Sequence, residues 1–309
     1  MIPNRVTIVD VGPRDGLQNE TQPVSTADKI ELVHRLQAAG LKEIEVTSFV
    51  SPKAVPQMAD AAEVYAGLTK RPDINYEVLV PNEKGYERAV EAGAEVIAVV
   101  VAASDTFNRR NINMSLEQAT AVCEVVVRRT KKDGRRARAY ISTIAACPYE
   151  GPVPPERVFD LTARMFEAGA DEVALGDTIG AGNPAQIEHL FETATRRHGA
   201  TRIAGHFHDT RGMGLTLAWC ALKAGVRKLD SSIGGLGGCP FAPGASGNLA
   251  TEDLVFMLNE AGFETGIDVE SLRRAVAVAE RLTGQSLGGR ITGFLRSRDA
   301  RRQAKAQAS

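Results

Sequence analysis

Two histidines stand two residues apart in the run His206-Phe207-His208-Asp209, directly after the apolar stretch Ile203-Ala204-Gly205. Side chains two apart on an extended chain share a face, so both imidazoles point the same way. Two convergent imidazoles and a carboxylate form a nitrogen–oxygen donor set able to hold a divalent cation with positions open for substrate. A pair of hydrogen-bonded structural histidines fits the same spacing, but the chain has five His in all and this grouping favours a metal. Asp15, in Gly12-Pro13-Arg14-Asp15-Gly16, is a suitable carboxylate. Arg-Asp-Gly is equally ordinary turn chemistry, and both readings of Asp15 stand at this point. Arg14 is either the structural partner of a carboxylate or a fixed cation beside a developing oxyanion, where preorganised charge is most effective. Glu45 lies in an otherwise apolar run, where a buried charge needs a partner, and Asp177 follows Leu175-Gly176 in the same manner.

The four cysteines differ in setting. Cys123 and Cys220 fall inside helical patterns and read as small core residues, while Cys147, before Pro148, is undecided. Cys239 follows Gly234-Gly235-Leu236-Gly237-Gly238, and a thiol on so mobile a loop could exchange a proton over a metal site. No Cys-x-x-Cys pair is present, which argues against structural zinc. Nor is there a phosphate-binding P-loop or a Gly-x-Gly-x-x-Gly turn after the first apolar run, so the glycines serve mobility rather than a nucleotide. Arg109 and Arg110 could meet phosphate or carboxylate groups. The basic residues at 128–132 and 135–138 read as a solvated face on the opposite side.

These side chains need a scaffold that brings distant segments together. Short Val- and Ile-rich runs at 6–11, 43–47, 76–80, 96–101, 138–143, 172–175, 203–207 and 229–233 alternate with amphipathic stretches. The stretches lie at 27–39, 58–68, 83–92, 116–132, 155–168, 184–197, 214–224 and 252–261. Ser25 with Asp28 and Ser115 with Gln118 have capping-box spacing. Gly40, Gly93, Gly169, Gly225 and Gly262 each follow a helical run, where a left-handed residue ends the helix. Eight strand–helix units with the same helix-end chemistry predict an α/β fold, a (β/α)8 TIM barrel, with an additional C-terminal helical segment at 268–283. In such a barrel catalytic residues gather where strands end, and the polar residues singled out above do fall there. We read one domain over 1–309, with the barrel at about 5–262, a C-terminal helix and tail at about 263–309, and residues 296–309 fraying.

The composition fits this picture. The 309 residues are 43% hydrophobic and 24% charged, with a net charge of −1, so no global field recruits nucleic acid or membrane. No apolar run approaches the roughly 18–20 residues that a membrane span requires. The absence of a leader and the cysteine usage point to a reducing, cytoplasmic setting.

The stretch from Val11 to Glu20 and the run Glu45-Val46-Thr47-Ser48-Phe49-Val50-Ser51-Pro52-Lys53 resemble 3-hydroxy-3-methylglutaryl-CoA lyases, a family of metal-dependent TIM barrels. So do Cys147-Pro148-Tyr149-Glu150-Gly151, Leu175 to Gly180, His206 to Thr210, Gly234 to Pro240 and Gly247 to Glu252. The likeness spans about Arg5 to Thr283. It implies cleavage of 3-hydroxy-3-methylglutaryl-CoA to acetoacetate and acetyl-CoA, an acyl-CoA partner and a homodimer. It also implies that Asp15, His206, His208 and Asn248 ligate Mg²⁺ or Mn²⁺, and that Arg14 steadies the substrate carbonyl and the enolate formed from it. Glu45, Asp177 and Gln18 would organise substrate and proton transfer, Cys239 would close over the site, and Cys239 or His206 would return a proton. The chain departs from the family pattern at Arg211 and Met213 after His208-Asp209-Thr210, at Asp105 after Ser104, and at Thr143-Ile144-Ala145-Ala146. These changes lie near the mouth, and Arg211 could grip a substrate carboxylate. Alternatives are a sister lyase for another tertiary hydroxyacyl-CoA such as citramalyl-CoA, a Claisen-type synthase, and a non-catalytic barrel.

Overall fold

The computed structural model describes residues 4–237 and 247–307. Eight parallel strands close on themselves: β1 (Thr7–Asp10), β2 (Glu43–Ser48), β3 (Asn75–Leu79), β4 (Val96–Ala102), β5 (Arg136–Ser142), β8 (Glu172–Asp177), β9 (Ile203–Phe207) and β10 (Lys228–Ser231). They neighbour one another in that order, with β10 returning to β1. Between β5 and β8 a two-residue-per-arm hairpin, β6 (Ala146–Cys147) and β7 (Gly151–Pro152), folds over the barrel end. The helices are α1 (Thr26–Ala39), α2 (Ala61–Gly67), α3 (Glu83–Glu91), α4 (Asp105–Ile112), α5 (Leu116–Lys132), α6 (Pro155–Ala168), α7 (Pro184–His198), α8 (Gly214–Lys223), α9 (Thr251–Glu260), α10 (Val269–Thr283) and α11 (Arg290–Gln307). The TIM-barrel expectation, including the extra helix after the barrel, is met.

Strands of a parallel sheet covered on both sides read as near-continuous apolar runs, and β4, Val-Ile-Ala-Val-Val-Val-Ala, is the clearest case. The helices between strands bury an apolar stripe toward the sheet; in α1 it is Leu32, Val33 and Leu36. The Ser115–Gln118 capping box is reciprocal, whereas Ser25 accepts from the Asp28 amide and donates its hydroxyl to the Asp28 carboxylate. The five glycines expected to end helices all have positive φ, from +81° to +106°.

The barrel interior is unlike the shell around it. Leu79, Ala98, Tyr140, Ala174 and Ala204 form a small apolar layer of their own inside the strands. Stepping back by two along the strands reaches Glu77, Arg138 and Glu172, all buried. Small alanines leave the width that these long charged side chains occupy.

Three features depart from the sequence reading. Helix α4 was not anticipated; Ser104 accepts from the Phe107 amide and starts it. Arg138, grouped above with a solvated basic face, is 3% exposed and points into the barrel, paired with Glu77, Glu172 and Asp230. The tail expected to fray from 296 is instead part of α11. Asp253 accepts the first amides of that helix, from Arg290 and Ile291, and Ile291 and Leu295 are buried four residues apart. A single narrow apolar stripe is enough to dock an otherwise polar helix.

Candidate active site

The chain leaves β1 through a turn in which the amides of Arg14, Asp15 and Gly16 all point to the Val11 carbonyl, at 3.1, 2.8 and 3.2 Å. The bond from Gly16 spans five residues, making Gly12–Gly16 a single π-helical turn, a device that often re-aims side chains at functional sites. A Cβ at Gly12 would lie 2.9 Å from both Asp10 Oδ1 and Ile233 Cγ2, so the tight packing of this turn requires glycine. Its product is Arg14 and Asp15 side by side at the C-terminal mouth of the barrel.

Glu45 meets them from β2. The pairing of β2 with β3 slips between Glu45 and Thr47; such a bulge bends the strand and redirects a side chain. Arg14 donates through Nε to Glu45 Oε2 at 2.6 Å and through Nη1 to Asp15 Oδ1 at 2.8 Å. Burial works against the charge on Arg14, but Glu45 and Asp15 outweigh it and hold the guanidinium firmly protonated. Burial pushes Glu45 up to about 8 against the pull of Arg14, with Glu77 and Asp15 adding to the rise.

From β9, His206 and His208 face the same space with ring centroids 5.3 Å apart. Asp15, His206 and His208 each offer a ligand atom within 4.8 Å of the others. His206 Nδ1 lies 3.1 Å from Asp230 Oδ2, which leaves its other nitrogen for the shared space. Burial, then His206 and Arg14, push His208 down to about 4 against Asp15, so it is neutral near pH 7 and its lone pair is available. Burial opposes ionisation of Asp15, but Arg14, the two imidazoles and Asn248 hold its carboxyl well below the usual range.

Asn248 arrives by a route that periodicity does not show. The segment after the glycine-rich loop pairs with the end of β9: Asp209 donates to the Gly247 carbonyl at 2.7 Å and Leu249 to that of Phe207 at 3.0 Å. His208 and Asn248 therefore sit opposite each other in an antiparallel bridge. Asn248 Nδ2 donates to Asp15 Oδ2 at 2.8 Å. Its Oδ1 and His208 Nδ1 are buried without a hydrogen-bond partner among the described residues. Buried polar atoms are rarely left unpaired, and a cation held by Asp15, His206, His208 and Asn248 would use acceptors of this kind. The residues present fit a divalent metal.

The other expected site residues are placed as follows. Asp177, fully buried, accepts the amides of Ala181 and Gly182 at 2.9 and 2.8 Å and so braces the loop after β8; burial raises its carboxyl against those two bonds. Arg211 donates to the carbonyls of Gly180 and Gly182 in the same loop, so two of its donors serve loop geometry. Gln18 is half-buried just beyond the π-turn. Arg109 pairs with Asp105 and Arg110 stacks on the Tyr149 ring. Cys123, Cys147 and Cys220 are buried free thiols, Cys147 lying 2.9 Å from the Ser104 hydroxyl. Cys239 lies outside the described residues. Sequence reading passed over Asp230 altogether; an acidic residue two positions into a strand next to His206 was the signal available.

A Pseudomonas aeruginosa 3-hydroxy-3-isohexenylglutaryl-CoA/hydroxymethylglutaryl-CoA lyase is 46% identical over 294 residues, 95% of this chain and 98% of that one. The crystal structure of a Bacillus subtilis HMG-CoA lyase superposes with a TM-score of 0.93 at 45% identity, covering 96% of this chain and 99% of that one. An HMG-CoA lyase from Acinetobacter baumannii, in complex with coenzyme A and 3-methylmalate, gives 0.90 at 39% identity over 94% and 95% of the two chains. The family model described as HMGL-like matches residues 5–278, the span that carries the barrel and the Arg14–Asp15–His206–His208 constellation, and the chain belongs to that family.

Proposed function

We propose that this protein is a carbon–carbon lyase that cleaves 3-hydroxy-3-methylglutaryl-CoA to acetoacetate and acetyl-CoA. The observation that carries the reading is the meeting of Arg14 with Asp15, His206 and His208 at the mouth of a barrel so similar to HMG-CoA lyases. Asp15, His206, His208 and Asn248 would hold Mg²⁺ or Mn²⁺, and a bound divalent cation supplies Lewis-acid polarisation of a tertiary hydroxyl.

The chain's own residues account for the rest. Loss of the C3 hydroxyl proton to a base at the mouth lets the C2–C3 bond break, leaving a ketone on one product and the acyl-CoA enolate on the other. One proton then returns to C2 from a donor at the mouth, Cys239 in this reading because His206 is committed to the cation through one ring nitrogen and to Asp230 through the other, so protons balance. Arg14 has Nε and Nη1 tied to Glu45 and Asp15. That fixes its plane and leaves the far edge of the fork for the enolate oxygen, a preorganised charge that needs no rearrangement during reaction. Asp177 and Arg211 shape the loop beside this space, and Gln18 lies near enough in sequence to Asp15 to contribute to substrate contact. The same reading takes the chain as one domain, a cytoplasmic homodimer; among the described residues no helix is long and apolar enough to cross a membrane.

A second reading has a specific basis: the Pseudomonas aeruginosa relative is named for a substrate with a longer C3 branch as well as for hydroxymethylglutaryl-CoA. One experiment addresses both. The purified full-length protein, stripped with EDTA, is assayed for acetyl-CoA release from hydroxymethylglutaryl-CoA, isohexenylglutaryl-CoA and citramalyl-CoA analogues, with and without Mg²⁺ or Mn²⁺. Cation-dependent turnover favouring hydroxymethylglutaryl-CoA is expected, with His208→Ala needing far more cation. Preference for a longer or shorter acyl chain would replace the substrate, and no turnover on any thioester would overturn the function.

A further inference from the structure

Beneath the mouth lies a charged cluster that the proposed reaction does not use. Asp230, on β10, is 1% exposed and stands next to His206 in strand register. Its Oδ2 is 3.1 Å from His206 Nδ1, and its Oδ1 accepts from Arg138 Nη2 at 2.6 Å. Arg138 has further partners: Nη1 donates to the Tyr140 hydroxyl at 2.9 Å and lies 3.3 Å from Glu77 Oε2, and Nε is 2.8 Å from Glu172 Oε1, an ion pair without hydrogen-bond geometry. Tyr140 also presents its ring edge-on to His206, centroids 6.1 Å apart at 84°.

We propose that Asp230, held from within the barrel by Arg138, is a positioning residue that locks His206 in the tautomer carrying its proton on Nδ1. Donors and acceptors fix the tautomer. A guanidinium only donates, so Asp230 Oδ1 is committed as an acceptor. The second carboxylate oxygen can only accept too, and the partner it faces must bring a hydrogen: His206 Nδ1–H. The lone pair of the ring is then on Nε2, the nitrogen left for the space shared with Asp15 and His208. A carboxylate behind a metal-binding imidazole fixes both tautomer and ring orientation.

Asp230→Asn separates this from a merely structural role. The amide matches the carboxylate in shape, but Arg138 still demands an acceptor at Oδ1. The NH₂ group must therefore face His206, donating to Nδ1 and moving the ring proton to Nε2, where it blocks the cation site. This inference rests on the cation-site reading of His206, so the test has one arm that needs no metal. Long-range ¹H–¹⁵N spectra of the metal-free, ¹⁵N-histidine-labelled full-length protein, with His206 assigned by loss of its signals in His206→Asn, report the tautomer directly. Wild type is expected to show protonated Nδ1 and bare Nε2. D230N is expected to show the reverse and to bind Mn²⁺, followed by electron paramagnetic resonance, about 10- to 100-fold more weakly, with an unchanged circular dichroism spectrum. A wild-type ring protonated on Nε2 overturns the proposal, whether or not D230N folds. So does a folded D230N that binds Mn²⁺ within twofold of wild type. A wild type that binds no Mn²⁺ yet shows the Nδ1–H tautomer removes the cation reading and leaves the positioning role supported.

Discussion

Arg14 is the side chain whose loss should divide chemistry from binding. Its guanidinium is oriented by two carboxylates and buried to 7% exposure, so in the proposed reaction it would meet developing charge without reorganising. Arg14→Gln is expected to lower kcat about 10²–10³-fold, the usual range for one oxyanion donor, while KM changes only a few-fold. Steady-state kinetics at saturating Mn²⁺ checks this; a large rise in KM with kcat preserved would mean that Arg14 binds ground-state substrate instead. At this scale much was legible. His206 and His208 declared themselves by two-residue alternation, and Glu45 by being a charge in an apolar strand. Asp15 stayed ambiguous because a turn and a ligand use the same residue type; its approach to both imidazoles, which favours the ligand reading, is visible only in three dimensions. Asp230 was silent, and Asn248 was reached only through the family resemblance, because their meaning comes from partners 24 and 233 residues away in the chain, a pairing that local pattern does not encode.

Elements were read well where periodicity is strong and poorly where an external cap decides. The barrel strands and their helices follow from alternating apolar runs, and the glycine helix ends follow from the left-handed residue each requires. The bulge that turns Glu45 toward Arg14 depends on the neighbouring strand's register, which one strand's sequence cannot reveal. Helix α11 is the instructive miss. Polar and basic, it looks like a solvated tail, but its first amides are received by Asp253 of α9, and Glu252 receives the Gly289 amide at 2.6 Å. Glu252 also accepts from Gly234 at 3.0 Å, so one carboxylate ties the helix entry to the start of the glycine-rich loop. Asp253→Ala removes the cap and leaves the barrel alone. A cap is worth about 1 kcal/mol, so amides at the start of α11 are expected to exchange with deuterium several-fold faster, with little change in β-strand protection. Uniform acceleration across the barrel would show that α11 is integral to the core rather than docked on it.

The molecule as a whole has been built around a buried ionic column. From the bottom, Lys228 joins Glu43 and Glu172 at 2.9 and 2.6 Å, Arg138 joins Glu172, Glu77 and Asp230, and Asp230 reaches His206 beneath the mouth. Breaking one member of such a set costs far more than a surface pair, because partners are left charged in low dielectric. Arg138→Met is therefore expected to lose about 3–5 kcal/mol near pH 8. The pH dependence distinguishes this from a packing defect. Burial works against ionisation of Asp230, but Arg138 and His206 hold its carboxyl below the usual value; its contribution is present above the unfolded pKa of about 4 and is lost only in stronger acid. Glu77 is already raised by burial, against the pull of Arg138. Without the guanidinium both carboxyls have folded pKa values above their unfolded ones. The sign then reverses: the variant is best off at low pH and loses stability as pH rises and the unfolded chain ionises more readily. Urea unfolding in EDTA at pH 5, 6.5 and 8 should show the gap between wild type and R138M widening with pH. A gap of constant size would mean that the lost stability is contact area, and that the column is not what holds the site's floor in place.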